Sequence, residues 1–147
     1  EDYFDRELWP ILTPVGLRCR RKALGLTRAE LGELIVAPES AIRSWEIGKS
    51  RPRDPLAIHM ILGNIEDAAD DCVAEILKSY NHDFKALGIG PHDLEVYTTQ
   101  AAYEEYSEWA SLLPFSTYQA CVGRVFSRLA SLDIHAYIVP ARLKECR

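Results

Sequence analysis

Nine basic side chains fall between Val15 and Arg53: Arg18, Arg20, Arg21, Lys22, Arg28, Arg43, Lys49, Arg51 and Arg53. Against Glu30, Glu33, Glu39 and Glu46 they leave this segment at +5, whereas the remaining residues sum to −10 and the whole chain to −5. Guanidinium and ammonium groups at this density suit phosphate oxygens, and an arginine can also bond both acceptors on one guanine edge. An acidic average argues against a nucleic-acid partner only when charge is spread evenly, and here it is not.

Other chemistries lack their residues. Cys19, Cys72, Cys121 and Cys146 are scattered singly, with no C-x-x-C pair and no histidine at zinc-ligand spacing. A reduced chain is therefore expected, with Cys72 and Cys121 acting as small core hydrophobes on helical faces. His59, His82, His92 and His135 stand apart from one another, so no metal site is expected. Gly88-x-Gly90-Pro91 lacks the lysine and the following helix of a phosphate loop. Glu104 and Glu105 are adjacent and so diverge on a helix, which suits solvation rather than paired acid–base work. The expectation is a non-enzyme without a cofactor.

The elements that must position the basic residues are helices. Tyr3 to Leu12 form a short amphipathic stretch that stops at Thr13-Pro14, where Thr13 can cap a new helix with Pro14 in its first turn. Gly25 follows that helix, and Thr27-Arg28-Ala29-Glu30 is a capping box opening a second, with Leu31, Leu34 and Ile35 on one face. Ala37-Pro38 breaks it and begins a third, containing Ile42 and Trp45, which ends near Gly48. Asp54-Pro55 starts a fourth, with Gly63-Asn64 as an interruption. Ile65, Ala68, Ala69, Cys72, Val73, Ile76, Leu77 and Tyr80 then recur at helical spacing. Residues 81–93 look like an irregular connector. Beyond it, Leu94–Thr98 and Ile134–Val139 have strand content, Ala101–Ala110 reads as a helix, and Ser116-x-x-Gln119 is a capping box. The helix it opens would bury Tyr118, Cys121, Val122, Val125, Phe126 and Leu129.

Short helices joined by a tight break inside the one basic segment suggest a helix-turn-helix. From Leu17 to about Ile65 the chain resembles the lambda-repressor/Cro-like (XRE) family of transcriptional regulators. The matching residues are Arg18, Leu26-Thr27-Arg28-Ala29-Glu30-Leu31-Gly32 and Ile42-Arg43-Ser44-Trp45-Glu46-Ile47-Gly48-Lys49-Ser50-Arg51-Pro52. Two positions depart from the family: Val36 stands where it has a turn glycine, and Arg28 where it has glutamine. A β-branched residue suits the left-handed conformation poorly, so either the turn differs or the second helix runs longer. The resemblance implies that Glu46 pairs with the first-helix arginine, Arg18, and that the pair holds the domain together without touching DNA.

Ile42 and Trp45, three apart, should face inward, which leaves Glu39, Ser40, Arg43 and Ser44 outward on a helix that the major groove can admit. These four are the candidates for base readout, Arg43 first, for guanine, and Glu39 for a cytosine amine. Arg28, Lys49, Arg51 and Arg53 are candidates for phosphate. Arg20-Arg21-Lys22 is weighed as a solvated face.

With 147 residues, 48% hydrophobic and 27% charged, the chain fits a globular protein. No apolar run approaches the ~20 residues that span a bilayer, and nothing at the start reads as a signal peptide, although Glu1 stands where a native chain would begin with Met. The expected fold is mainly α: a lambda-repressor-like helix-turn-helix domain, then a small α-rich dimerisation region with a two-stranded β ribbon. The domain would cover 1–80, with its core at 14–65 and an extension at 1–13. Residues 81–147, net acidic and aromatic, would form a homodimer, because one helix-turn-helix covers too little DNA for tight specific binding. The expected protein is a cytoplasmic homodimeric repressor of a double-stranded palindromic operator, with no membrane partner. Alternatives are an antitoxin whose acidic half holds a basic protein partner, and a protein-interaction module that kept the fold without the DNA surface.

Overall fold

The computed structural model describes residues 11–87 and 92–141, with the side chains of 81–87 and 92 left aside. The expected stretch at 3–12 falls almost wholly outside the described residues, as do Gly88–Pro91 and Cys146. The chain is mainly helical with a small two-stranded parallel sheet. Its contacts divide it into two compact units, Glu1–Asp67 and Ala68–Arg147. The sequence-based boundary at 80/81 lies further along the same helix than this one at 67/68.

Most described helices of the first unit start on a side chain that accepts from a first-turn amide. Helix α1 (Pro14–Ala23) begins where Thr13 Oγ1 accepts from the Gly16 amide at 3.0 Å. Helix α2 (Arg28–Ile35) has both halves of its capping box, Thr27 Oγ1 accepting from the Glu30 amide at 3.1 Å and Glu30 Oε1 from the Thr27 amide at 3.0 Å. Helix α3 (Glu39–Glu46) follows an extended Pro38 that makes no side-chain cap. Helix α4 (Pro55–Leu87) opens where Asp54 Oδ1 accepts from the Ala57 amide at 3.0 Å. Leu12, Leu17, Leu24, Leu26, Leu31 and Ile42 head the buried set that these helices enclose. Leu34, expected beside Leu31, is instead exposed.

Two expected breaks in α4 are absent. Gly63-Asn64 does not interrupt it, and residues 81–87 continue it rather than forming a connector. A glycine inside a helix weakens it by about 1 kcal/mol but leaves every backbone bond in place, and a 33-residue helix absorbs that.

In the second unit, β1 (His92–Val96) pairs in parallel with β2 (Ala136–Pro140). Parallel neighbours require a crossover. Helix α5 (Gln100–Tyr106), a 3₁₀ turn (Glu108–Ser111) and helix α6 (Phe115–Ser131) supply it. The two expected strands are thus present, starting two residues before Leu94 and two after Ile134. The expected helix over 101–110 divides at Ser107, whose extended backbone caps the 3₁₀ turn. The Ser116 capping box is not what opens α6: the helix starts on Pro114, and Ser116 already sits inside its first turn. Thr117, Tyr118, Cys121, Val122, Val125 and Leu129 are buried, whereas Phe126 is exposed because it falls just outside that arc. Tyr103 is the largest fully buried side chain, its ring tilted by 34° against that of Tyr118 at 4.8 Å, its hydroxyl donating to the Leu113 carbonyl at 2.7 Å. Cys72 and Cys121 are buried as expected, and the Cys121 thiol donates to the Ala69 carbonyl at 3.6 Å.

Candidate nucleic-acid interface

The first unit presents α3 through a short, sharply folded connection from α2. Val36 occupies the left-handed region at φ 57 and ψ 55, and the amides of Val36 and Ala37 both donate to the Gly32 carbonyl, the latter at 2.9 Å. Neither sequence-based alternative for this turn holds. The helix does not run on, and a valine adopts the strained conformation itself. Gly32 makes the close approach here, since a Cβ on it would lie 2.4 Å from the Ala37 carbonyl oxygen. The chain therefore reverses tightly enough for α3 to begin at Glu39.

Along α3 the inward and outward faces separate cleanly. Ile42 is fully buried, Glu46 is buried beside it, and Trp45 is half-buried in a groove with Ile35, Pro52, Ile58 and Ile61. Glu39, Ser40 and Arg43 are exposed, as expected for residues free to reach a base edge. Ser44 is different: it is half-buried, its hydroxyl bonds Ser50 Oγ at 2.7 Å, and its carbonyl accepts from the Lys49 and Ser50 amides. Ser44 thus closes the turn that follows α3, where Gly48 takes φ 76. Lys49, Arg51 and Arg53 extend from that segment and are exposed.

The ion pairs correct two expectations and add a partner to a third residue. Glu46 does not pair with Arg18, which is exposed. Its partner is Arg21, with Arg21 Nε donating to Oε2 at 2.6 Å and a second guanidinium nitrogen donating to Oε1 at 3.0 Å. The reason is helical phase. Leu17, Arg21 and Leu24 lie on one buried face of α1, and Arg18 lies off it. Arg28, expected on phosphate, also donates to Glu46 Oε1, at 3.1 Å, with its guanidinium partly exposed. Nor is Arg20-Arg21-Lys22 a solvated face. Arg20 grips both Glu66 oxygens at 2.6 and 2.9 Å and touches His59 Nδ1 at 2.8 Å, leaving only Lys22 exposed.

Burial alone would push the Glu46 carboxyl up; the hydrogen bonds and charges of Arg21 and then Arg28 outweigh it and hold Glu46 below its ordinary 4.5. Such a carboxylate, buried and accepting three hydrogen bonds from two cationic partners, is a structural strut. Among the described residues of the first unit, the exposed basic side chains are Arg18, Lys22, Arg43, Lys49, Arg51 and Arg53. A signal for the Arg21 strut was present in the sequence, as the 4-then-3 spacing of Leu17, Arg21 and Leu24.

Among the described residues no three His, Cys, Asp or Glu side chains come together as a metal site, and no helix is long and apolar enough to cross a membrane. No protein-family model matches this chain, and no curated protein matches it.

Proposed function

We propose that the chain is a sequence-specific DNA-binding transcriptional regulator of the XRE kind. In this reading α2, the Val36 turn and α3 form a helix-turn-helix, and the protein acts as a homodimeric repressor on a palindromic operator. The observation that carries the proposal is the two-faced α3. Its inner side is fixed by Ile42 and by the Glu46–Arg21 strut, its outer side exposes Glu39, Ser40 and Arg43, and Lys49, Arg51 and Arg53 follow at its end. A helix held rigidly by its back is what base readout requires, because a guanidinium must meet guanine O6 and N7 together. Arg43 reads that edge, while Lys49, Arg51 and Arg53 set register on phosphate. Arg28 belongs to the Glu46 strut and contributes charge there rather than a dedicated phosphate contact. Ser44 supports the turn, so readout rests on Arg43, Glu39 and Ser40.

A specific observation favours the protein-interaction module as a second reading: Arg20, Arg21 and Arg28 are engaged by Glu66 and Glu46, which lowers the positive charge available to a polyanion. Selection of genomic fragments by the purified protein, followed by sequencing, separates the two. The DNA reading predicts an enriched motif with twofold symmetry and loss of preference at one base pair in Arg43→Ala. Equal enrichment by both proteins removes Arg43 from readout. No enrichment by the native protein leaves the interaction module.

A further inference from the structure

Among the described residues the second unit holds a sheet of two strands, β1 and β2, each with one edge unpaired. The two strands are packed on α6, with Leu94 and Ala136 buried, but an open strand edge still offers unpaired amides and carbonyls to another chain. The two open edges differ in chemistry. The Ala141 amide donates to the Val96 carbonyl at 2.8 Å, so by alternation the backbone groups of Tyr137 and Val139 also face β1. Those of Ala136, Ile138 and Pro140 face outward. On β1 the outward-facing residues are Asp93 and Glu95, and both side chains are exposed. Two copies meeting there would set carboxylate against carboxylate. The β2 edge carries no charge, and Tyr137 and Ile138 are 59% and 46% exposed on its opposite faces. Leu132, just before the strand, is exposed as well.

We infer that the outer edge of β2 is the homodimer contact, pairing antiparallel with the same edge of a second copy to make one four-stranded sheet. The inference rests on the homodimer reading of residues 81–147 and names its interface. A twofold axis through Ile138 makes the contact self-complementary. Ile138 exchanges amide and carbonyl bonds with its symmetry mate, and at either end the Ala136 amide reaches the Pro140 carbonyl. Proline has no amide to give, so the Ala136 carbonyl opposite it gains no bond at either end, while no bond to β1 is lost, since Pro140 points away from it. Side chains at position 138 then lie directly opposite one another, where like charges repel and opposite charges attract.

Sedimentation velocity on the full chain tests this with Ile138→Lys and Ile138→Glu. The native protein should sediment as a dimer and each variant alone as a monomer. An equimolar mixture of the two should recover the dimer, and circular dichroism should report the helical content of the native chain in all samples. The mixture keeps the test sound if either variant folds less well, because a misfolded chain would not be rescued by the opposite charge. A native dimer with both variants still dimeric overturns the β2 edge and leaves the homodimer reading standing. A monomeric native protein overturns both.

Discussion

Replacing Val36 by glycine should stabilise the protein, against the usual direction of substitution. Val36 sits at φ 57 and ψ 55, where an L-residue is strained by about 1–2 kcal/mol, with the branched side chain at the upper end of that range. The side chain is 91% exposed, so removing it forfeits almost no burial. Glycine loses more backbone entropy on folding, which takes back about 0.5–1 kcal/mol. The net is a gain of about 1 kcal/mol, or a rise of about 4 °C in Tm for a chain of this length. Gly25 and Gly48, at φ 69 and 76, already use the residue that this conformation favours, so Gly48→Ala should move in the opposite direction. Urea denaturation followed by circular dichroism gives both values. If Val36→Gly were neutral or destabilising, with an unchanged slope, the turn between α2 and α3 would not be left-handed at this position.

Glu46→Ala should cost about 3–5 kcal/mol, because it leaves Arg21 buried with an uncompensated charge, whereas Arg28→Ala should cost about 1 kcal/mol or less since Arg21 keeps both its bonds; denaturant midpoints compare them. The Glu46 carboxyl is held below 4.5, so its contribution is complete above that pH and is lost as pH falls through the lower folded value. Acid unfolding of Glu46→Gln should accordingly show a shallower loss of stability below pH 4.5 than the native chain. Gly63→Ala, whose new Cβ meets nothing within 4 Å, should stabilise α4 by about 0.5–1 kcal/mol, while Gly32→Ala should destabilise through its 2.4 Å approach to the Ala37 carbonyl. Thermal melts of the pair should therefore shift in opposite directions. A thiol reagent should modify exposed Cys19 quickly in the native protein, and reach buried Cys72 and Cys121 only on unfolding, as mass mapping of labelled peptides would record.

Much of the local structure was legible because short-range rules decide it. Thr13-Pro14, Thr27–Glu30 and Asp54-Pro55 each start a helix where their side chains can reach amides a few residues on. What escaped were choices made by packing. Gly63-Asn64 resembles a break, yet α4 runs through it, since length and burial outweigh one glycine. Ser116 has the right neighbours for a cap, but Pro114 sets the extended backbone earlier. Glu46 is matched to Arg18 by the family resemblance, and it meets Arg21 instead because Arg21 lies on the buried side of α1. On the candidate interface, Glu39, Ser40 and Arg43 lie where their phase against Ile42 puts them. Ser44 and Arg28 are each engaged by a partner that helical phase does not reveal, Ser50 for one and Glu46 for the other.

If the cationic side chains on and after α3 meet a DNA backbone, binding must weaken steeply with salt. Affinity for the selected operator fragment should fall linearly on a log–log plot against salt, and each phosphate contact removed, as in Lys49→Ala or Arg53→Ala, should reduce the slope by about 1. Arg43→Ala should instead relax preference at one base pair, weakening the native site by about 1–3 kcal/mol. Failure of the native protein to retain any DNA at low salt, or a slope that these substitutions leave untouched, would rule out phosphate contacts by these side chains.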